Sequence, residues 1–153
     1  MNRVPGNKTD QRGLAIVEFT IALPLLLFLL FAGAEVGRLL YQYNTLTKSV
    51  EDGGRYLAGQ LRSANANGTL ATTLSNTISL VKSGTTLTGR PSLLPGTISV
   101  TTQTNAAAPT PVVVTATYTY APMVFPNSVP GFGLWSDLVL AIPLTAQISM
   151  PVL

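Results

Sequence analysis

The stretch GLAIVEFTIALPLLLFLLFAGA, residues 13–34, decides how this chain of 153 residues is organised. From Leu14 to Ala34 it is apolar apart from Glu18 and Thr20. A helix rises by about 1.5 Å per residue, so a segment of this length extends about 31 Å, close to the roughly 30 Å hydrocarbon core of a bilayer. The pattern therefore predicts one membrane-spanning helix at residues 14–34.

Charges on the two sides of this segment predict its orientation. Residues 1–13 contain Arg3, Lys8 and Arg12 against Asp10, whereas a stretch of mixed charge follows the apolar run. Because cytoplasmic flanks carry the excess of Lys and Arg, we expect the N-terminus in the cytoplasm and the bulk of the chain outside it. The expected parts are a basic leader at residues 1–13, the span at 14–34, a further helical part at 35–62 and a small domain at 63–153.

Three interpretations of the apolar segment stay open. It is a plain single-pass anchor, a secretory signal peptide cut after the AGA of residues 32–34, or a span that follows a leader cut at Gly13. A signal peptide usually has about 7–15 apolar residues, whereas this run is longer and contains an acid. The first two interpretations correspond to a membrane-anchored or released periplasmic binding domain that does not assemble into a filament.

Glu18 is the unusual residue of the segment. A charged side chain in hydrocarbon costs about 2.5–3.5 kcal/mol even on insertion-based scales, so an acid kept there is a functional hypothesis. Gly13 closes the short basic leader, and Glu18 is the fifth residue after it. The alternative is an acid near the end of the span that reaches the headgroups at little cost and has no further role.

The motif RGLAIVEF, residues 12–19, resembles the processing site of the type IV prepilin class. In that class a membrane peptidase cuts after the glycine at the cytoplasmic face and leaves a glutamate as the fifth mature residue. The resemblance implies that Gly13 ends the leader, Leu14 becomes the N-terminus and Glu18 is the family's acid. We then expect Glu18 to neutralise the new α-amino group of a neighbouring subunit and to set the axial register between subunits.

The helix beyond the span is similar to that of TadE-like pseudopilins, the minor pilin-like proteins of the tight-adherence (Flp) pilus system. The similarity is carried by the E-x-G-R-L turn at Glu35–Leu39 and by the turn at Gly53–Ala58, in which Gly54 and Leu57 stand where alanines are more usual. The C-terminal VVVTATYTYAPMVFP and LAIPLTAQISM also resemble the β-rich end of the family. TadE and TadF types both stay open.

This resemblance implies a minor subunit that acts in assembly of a tight-adherence pilus in a bacterial cell. Its C-terminal domain would be periplasmic, and the subunit would be retained in the inner membrane or built into the surface pilus. The implied partners are a prepilin peptidase, other pilin or pseudopilin subunits and the proteins of the assembly platform. Gly33 and Gly37 form a G-x-x-x-G at the outer edge of the span, a pattern typical of close helix association.

Periodicity predicts an α+β fold. The long helix is expected to continue to about Arg62 with an apolar stripe, and a short helix is expected to begin at Leu70 and close near Gly84. Three alternating stretches predict a small antiparallel sheet packed on the long helix, and Pro143 confines the last strand to an edge or to a start near Leu144. The stripe comprises Leu39, Tyr43, Leu46, Val50, Gly53 and Leu57, and the strands lie around residues 97–101, 112–120 and 142–150.

The segment APMVFPNSVPGFGLW, residues 121–135, is rich in proline and aromatic side chains. Two interpretations stay open: its large apolar residues cap the core of the sheet, or they form an exposed contact loop for another protein. The residues concerned are Met123, Phe125, Phe132 and Trp135.

Composition excludes several classes of function. The chain has no Cys and no His, which excludes zinc fingers, thiolate chemistry and histidine-based catalytic triads. Ser79–Lys82 matches S-x-x-K without the companion motifs of the acyl-serine enzymes. The sequence has no basic patch with interleaved aromatics, so we expect no nucleic-acid partner. We likewise expect no enzymatic activity, cofactor, metal or small-molecule substrate.

Overall fold

The computed structural model describes residues 8–87, 89–104, 111–123, 128–129, 136, 138–139 and 141–152, and for residues 8–12, 128–129 and 138–139 only the backbone. Two helices come first, α1 at Lys8–Ala66 and α2 at Leu70–Ser83. The strands are β1 at Ile98–Gln103, β2 at Val112–Tyr120, β3 at Ser128–Val129, β4 at Leu138–Val139 and β5 at Ile142–Met150.

The strands form a three-stranded antiparallel sheet and a separate ribbon. β2 is central in the sheet, with β1 on one side and β5 on the other. Pro143 therefore lies in an edge strand, where its missing N–H leaves no gap inside the sheet. β3 and β4 pair with each other, a ribbon that the sequence patterns do not predict. The predicted α+β fold, with a long helix, a short helix and a three-stranded sheet, is confirmed.

The chain divides into two compact units, Met1–Gly37 and Arg38–Leu153. In the first unit α1 exposes its apolar side chains: an 18-residue window reaches a mean hydropathy of 2.6, and none of it is buried. Among the described residues, α1 is the one helix long and apolar enough to cross a membrane. The Thr20 hydroxyl donates to the Ile16 carbonyl at 2.8 Å, so it adds no unpaired polar group to the apolar segment.

In the second unit α1 turns one face to the core, and Leu46 and Leu57 are completely buried there. The predicted stripe is wrong at Tyr43, which is 41 % exposed, whereas Gln42 is only 3 % exposed. The two residues flank the stripe on opposite sides. At this end of α1 the sheet lies on the same side as Arg38, which contacts Tyr120 of β2. Gln42 is one helical turn after Arg38 and faces the same side, so the sheet covers Gln42.

The turn between the helices follows from the end of α1. The helix continues to Ala66, beyond the expected end near Arg62, and Ala64 in this last turn is still buried in the core. Gly68 then adopts a left-handed φ of 69°, and the Thr69 N–H donates to the Ala64 carbonyl at 2.9 Å. This closure satisfies a carbonyl that the helix end would otherwise leave without a donor.

α2 runs back along α1 from this turn. Thr73, Thr77 and Val81 are its buried residues, and the Thr77 hydroxyl donates to the Thr73 carbonyl at 2.8 Å, which keeps a buried polar group paired. The helix ends at Gly84, whose φ of 71° is left-handed and whose N–H donates to the Leu80 carbonyl. The predicted end near Gly84 is confirmed.

The inner face of the sheet forms the other wall of the core. Alternate residues of β2 are each at most 1 % exposed. β1 and β5 add buried residues that lie opposite Tyr118 or Ala116 of β2 in the strand register. Alternation along a strand places these side chains on one face, so the strand periodicity predicted from the sequence is confirmed. The buried residues are Val112, Val114, Ala116, Tyr118 and Tyr120 of β2, Ile98 of β1, and Leu144 and Ala146 of β5.

Two adjacent glycines let α1 pack closely against both neighbours. A Cβ atom on Gly53 would overlap Val81 Cγ2 of α2, and one on Gly54 would lie 2.7 Å from Ile148 Cγ2 of β5. Glycine inside a helix is about 0.5–1 kcal/mol less favourable than alanine. The closer approach of α2 and β5 offsets that cost.

We expect Gly53→Ala and Gly54→Ala each to destabilise the second unit by about 1–3 kcal/mol, since the added methyl group overpacks a closed contact. The measurement is urea unfolding of the full chain in detergent micelles, followed by circular dichroism.

Gly59→Ala is the matched control, because Gly59 is an exposed glycine of α1 whose added Cβ would meet nothing within 4 Å. It should stabilise the helix by about 0.5–1 kcal/mol. Equal effects of the three substitutions would contradict the close-packing explanation.

Candidate functional site

The predicted processing residues lie on the exposed part of α1. Gly13, Leu14 and Glu18 are all inside the helix, which begins at Lys8. Leu14 is 72 % exposed, and Glu18 is exposed as well. A separation of four residues places the Leu14 and Glu18 side chains on the same face, about 6 Å apart along the axis.

This spacing determines what a cut after Gly13 would create. Leu14 would become the first residue of the helix, with a protonated α-amino group and the unpaired N–H groups of the first turn beside it. These groups and the positive end of the helix dipole together favour a carboxylate within one turn. Glu18 is the acid at that distance, and its exposure leaves it open to a group outside this chain.

Gly33 and Gly37 lie on the outside of α1, and a Cβ atom added to either would meet no described atom within 4 Å. The two glycines therefore pack on none of the residues that the structure describes. A flat strip of backbone is available to another helix at this position, and its use for helix association stays a prediction.

The E-x-G-R-L turn connects α1 to the end of β2. The Arg38 guanidinium carbon lies 5.8 Å from the centroid of the Tyr120 ring, within the range of a cation–π contact. Leu39, the next residue along α1, packs against the hydrophobic core. Tyr120 is 1 % exposed, so the charge contacts a ring that is shielded from water. The motif thus fixes α1 to the sheet.

Tyr118 makes a second connection from β2. Its hydroxyl donates to the Pro95 carbonyl at 2.6 Å, and its ring lies against Gly96, whose φ of 115° favours glycine. Burial raises the pKa of Tyr118 above its ordinary value of 10.0, and the positive charge of Arg38 opposes that rise in part. The segment that leads into β1 is therefore fixed to the central strand by a neutral phenol.

The Gly53–Ala58 turn is also a packing element. Gly53 admits Val81 of α2, and the Tyr56 hydroxyl accepts a hydrogen bond from the Asn76 amide at 3.3 Å. Ala58 is 3 % exposed. Both turns that carry the family resemblance thus have a role inside the second unit, whereas Gly13 and Glu18 have none that the described contacts show.

The predicted contact loop is described only in part. Met123 is 72 % exposed, and both interpretations of the loop stay open. Pro122 beside it is buried. Phe125, Phe132 and Trp135 lie outside the described residues, and their role stays a prediction.

Two buried polar residues of α1 are missed by the sequence patterns. Ser49 is 6 % exposed and donates its hydroxyl to the Leu46 carbonyl at 2.8 Å. The Gln42 carboxamide oxygen is buried without a hydrogen-bond partner among the described residues. Their spacing matches the core-facing side of the helix, but a hydrophobicity pattern passes over a glutamine next to a tyrosine.

The fold and these residues define a class of protein, a single-pass membrane protein with one N-terminal apolar helix and a small α+β domain. Residues 13–55 match the family of TadE-like proteins, which belongs to the tight-adherence pilus system. Over these residues the chain is TadE-like, and the resemblance inferred from Gly13, Glu18 and Glu35–Leu39 is confirmed. No curated protein and no solved structure matches the chain.

The raised pKa of Tyr118 predicts a loss of stability at alkaline pH. Because the folded state holds the phenolic proton more tightly than the unfolded state, the contribution is complete below pH 10 and is lost as the pH rises through the raised pKa. Tyr118→Phe should cost about 0.5–1.5 kcal/mol near neutral pH through the lost hydrogen bond, and it should flatten the alkaline decline.

Urea unfolding of the full chain in micelles at a series of pH values measures both effects. Tyr41→Phe is the control, because the Tyr41 side chain is 70 % exposed. An alkaline decline of the same steepness in Tyr118→Phe and in the unsubstituted protein would rule out this source.

Proposed function

We propose that this protein is a minor pilin-like subunit that acts in assembly of a tight-adherence pilus, inserted with its N-terminus in the cytoplasm and cut after Gly13 by a prepilin peptidase. One observation carries the proposal: Gly13, Leu14 and Glu18 lie within one and a half turns on an exposed apolar helix, and the TadE-like match begins at Gly13.

In the proposed chemistry, cleavage supplies an amine that can pair with the Glu18 carboxylate, which would otherwise be an isolated charge. Hydrolysis of the Gly13–Leu14 bond consumes a water, leaves a carboxylate on Gly13 and frees an α-amino group on Leu14. An amine and a carboxylate that lie singly at the edge of the hydrocarbon are each costly, whereas together they are tolerated. Glu18 then favours the arrangement in which it meets the amine of a neighbour.

Exposure of the surrounding helix supports an external partner. In the described part of the first unit every residue from Gly13 to Gly37 is exposed except Ala22 and Glu35, which are half-buried. A subunit helix packed alongside would cover this surface and would bring its own N-terminus to a definite height. We propose that Glu18 selects that height, and that Gly33 and Gly37 admit the neighbouring helix.

The remaining parts of the proposal concern place and partners. The domain after the span is periplasmic, and the subunit stays in the inner membrane or enters the pilus. It meets the prepilin peptidase, other pilin or pseudopilin subunits and the assembly platform. The role is structural rather than catalytic, which the absence of Cys and His from the sequence supports.

Intact mass spectrometry of the protein purified from a cell with a tight-adherence system identifies the mature N-terminus. We expect Leu14. A first residue at Glu35 would indicate a signal peptide and a released binding domain, and Met1 would indicate a plain anchor.

We expect Glu18→Gln to leave cleavage after Gly13 intact and to impair assembly strongly, since the amide is nearly the same size and cannot neutralise the amine. The measurement is the recovery of surface pili in a cell whose own copy is replaced by the variant.

The matched control exchanges two neighbours, Val17→Glu with Glu18→Val. It keeps one acid at nearly the same depth and turns it by about 100° around the helix. If assembly depends on register, the exchanged protein should assemble as poorly as Glu18→Gln. Normal piliation by either variant would refute the role of Glu18.

A further inference from the structure

We propose that the end of the second unit at which β2 ends and β5 begins lies on the lipid headgroups of the membrane that α1 spans. We name this end the basal surface. This proposal rests on the part of the proposed function that keeps α1 in the membrane. It adds a second membrane contact, which the folded domain itself makes. The basal surface comprises Leu40, Tyr41, Tyr43, Met123 and Ile142.

Two contacts show how α1 lies along the sheet. Arg38 lies over Tyr120 at the end of β2, and Gly54 lies against Ile148, which opposes Val114 near the start of β2. The helix advances about 24 Å between these contacts, and β2 recedes by about 20 Å. α1 and β2 therefore run antiparallel, and the end of β2 lies at the first turn of the second unit.

Chain length keeps this end close to the membrane. Arg38 is four residues after Ala34, the last residue of the apolar run. In a helix this is about 6 Å, and even a fully extended chain spans at most about 14 Å. The headgroup layer on each side of the hydrocarbon is roughly 5–7 Å thick. The contact between Arg38 and Tyr120 thus lies at or just outside the headgroups.

The basal surface holds most of the large apolar side chains that the second unit exposes. Among its described residues seven are exposed, and five of these belong to the basal surface. Ile142 opposes Tyr120 in the strand register, and Met123 follows Tyr120 by three residues. The exposed fractions are 53 % for Leu40, 70 % for Tyr41, 41 % for Tyr43, 72 % for Met123 and 38 % for Ile142, and Leu87 and Leu93 after α2 complete the seven.

The arrangement on α1 favours lipid over a partner helix. Successive helical residues turn by about 100°, so Leu40 and Tyr43 lie within about 60° of each other and Tyr41 points about 100° away from Leu40 on the other side. A partner helix covers one stripe with spacings of three and four residues. The three exposed side chains together cover an arc of about 160°, which is wider than one such stripe and which a layer of lipid headgroups would contact as a whole.

The chemistry of the tyrosines agrees with this occupant. Tyr is enriched at membrane–water interfaces, where its ring lies against apolar chains and its hydroxyl stays hydrated. Helical side chains point toward the N-terminus, so Tyr41 and Tyr43 reach back toward the span. This direction offsets part of the distance between their backbone and the hydrocarbon.

The absence of cysteine from the sequence allows a spin label to be attached at one chosen position. The full chain is inserted into vesicles of phosphatidylethanolamine and phosphatidylglycerol, with the label at Ile142→Cys or, in a second variant, at Met123→Cys. Collisions with oxygen, which concentrates in lipid, are compared with collisions with a water-soluble nickel chelate. We expect oxygen to dominate at both positions.

Matched controls lie on the same elements away from the basal surface. Ser149→Cys is on β5, near its other end, and Gly59→Cys is farther along α1; both residues are exposed. The ratio of oxygen to nickel collisions should be several-fold lower at these positions than at Ile142→Cys. A label at Leu27→Cys reports whether α1 is inserted.

The outcomes separate the two proposals. If the label at position 27 lies in lipid and the label at position 142 is as accessible to nickel as that at position 149, the basal contact is overturned and the membrane anchor stands. Labels at positions 142 and 123 that are shielded from both reagents would mean that a protein covers the surface, which also overturns it. A label at position 27 in water would overturn the anchor itself.

Discussion

Close packing at Gly53 and Gly54 is the contact on which the rest of the second unit depends. One helix is pressed there from two directions, by Val81 of α2 and by Ile148 of β5. The chain has no cysteine and therefore no disulfide to hold so small a core together. Burial of side chains such as Leu46 and Leu57 must supply the stability instead, and the two glycines let the neighbouring elements approach closely enough to close that core.

The same helix meets two different surroundings along its length. Residues 13–55 include the exposed apolar part of α1, the Arg38 contact with Tyr120 and the paired glycines. The strands all lie after this segment. A helix that faces lipid in one part and a protein core in the next is constrained at every turn, whereas a sheet needs only alternating apolar residues on its inner face.

The two proposals place polar chemistry at the two ends of one apolar helix. Glu18 lies at the N-terminal end, where the proposed cut after Gly13 would supply its counter-charge. The tyrosines after Arg38 lie at the other end, where rings and hydroxyls suit the headgroup layer. A domain that rests on lipid through its basal surface would hold α1 at a defined depth, and this depth decides whether Glu18 can meet the amine of a neighbour.

Local pattern by itself determined the apolar span, the end of α2 at Gly84 and the inner face of β2, because periods of 3.6 and 2 residues and a left-handed glycine are properties of a short segment. Tertiary structure alone decided that Gln42 rather than Tyr43 is buried, that Arg38 lies on Tyr120 and that β3 pairs with β4. The contact between Arg38 and Tyr120, for example, joins residues far apart in the chain. A pattern shows which face of an element is apolar, and the element packed against it decides which residue at the margin of that face is covered.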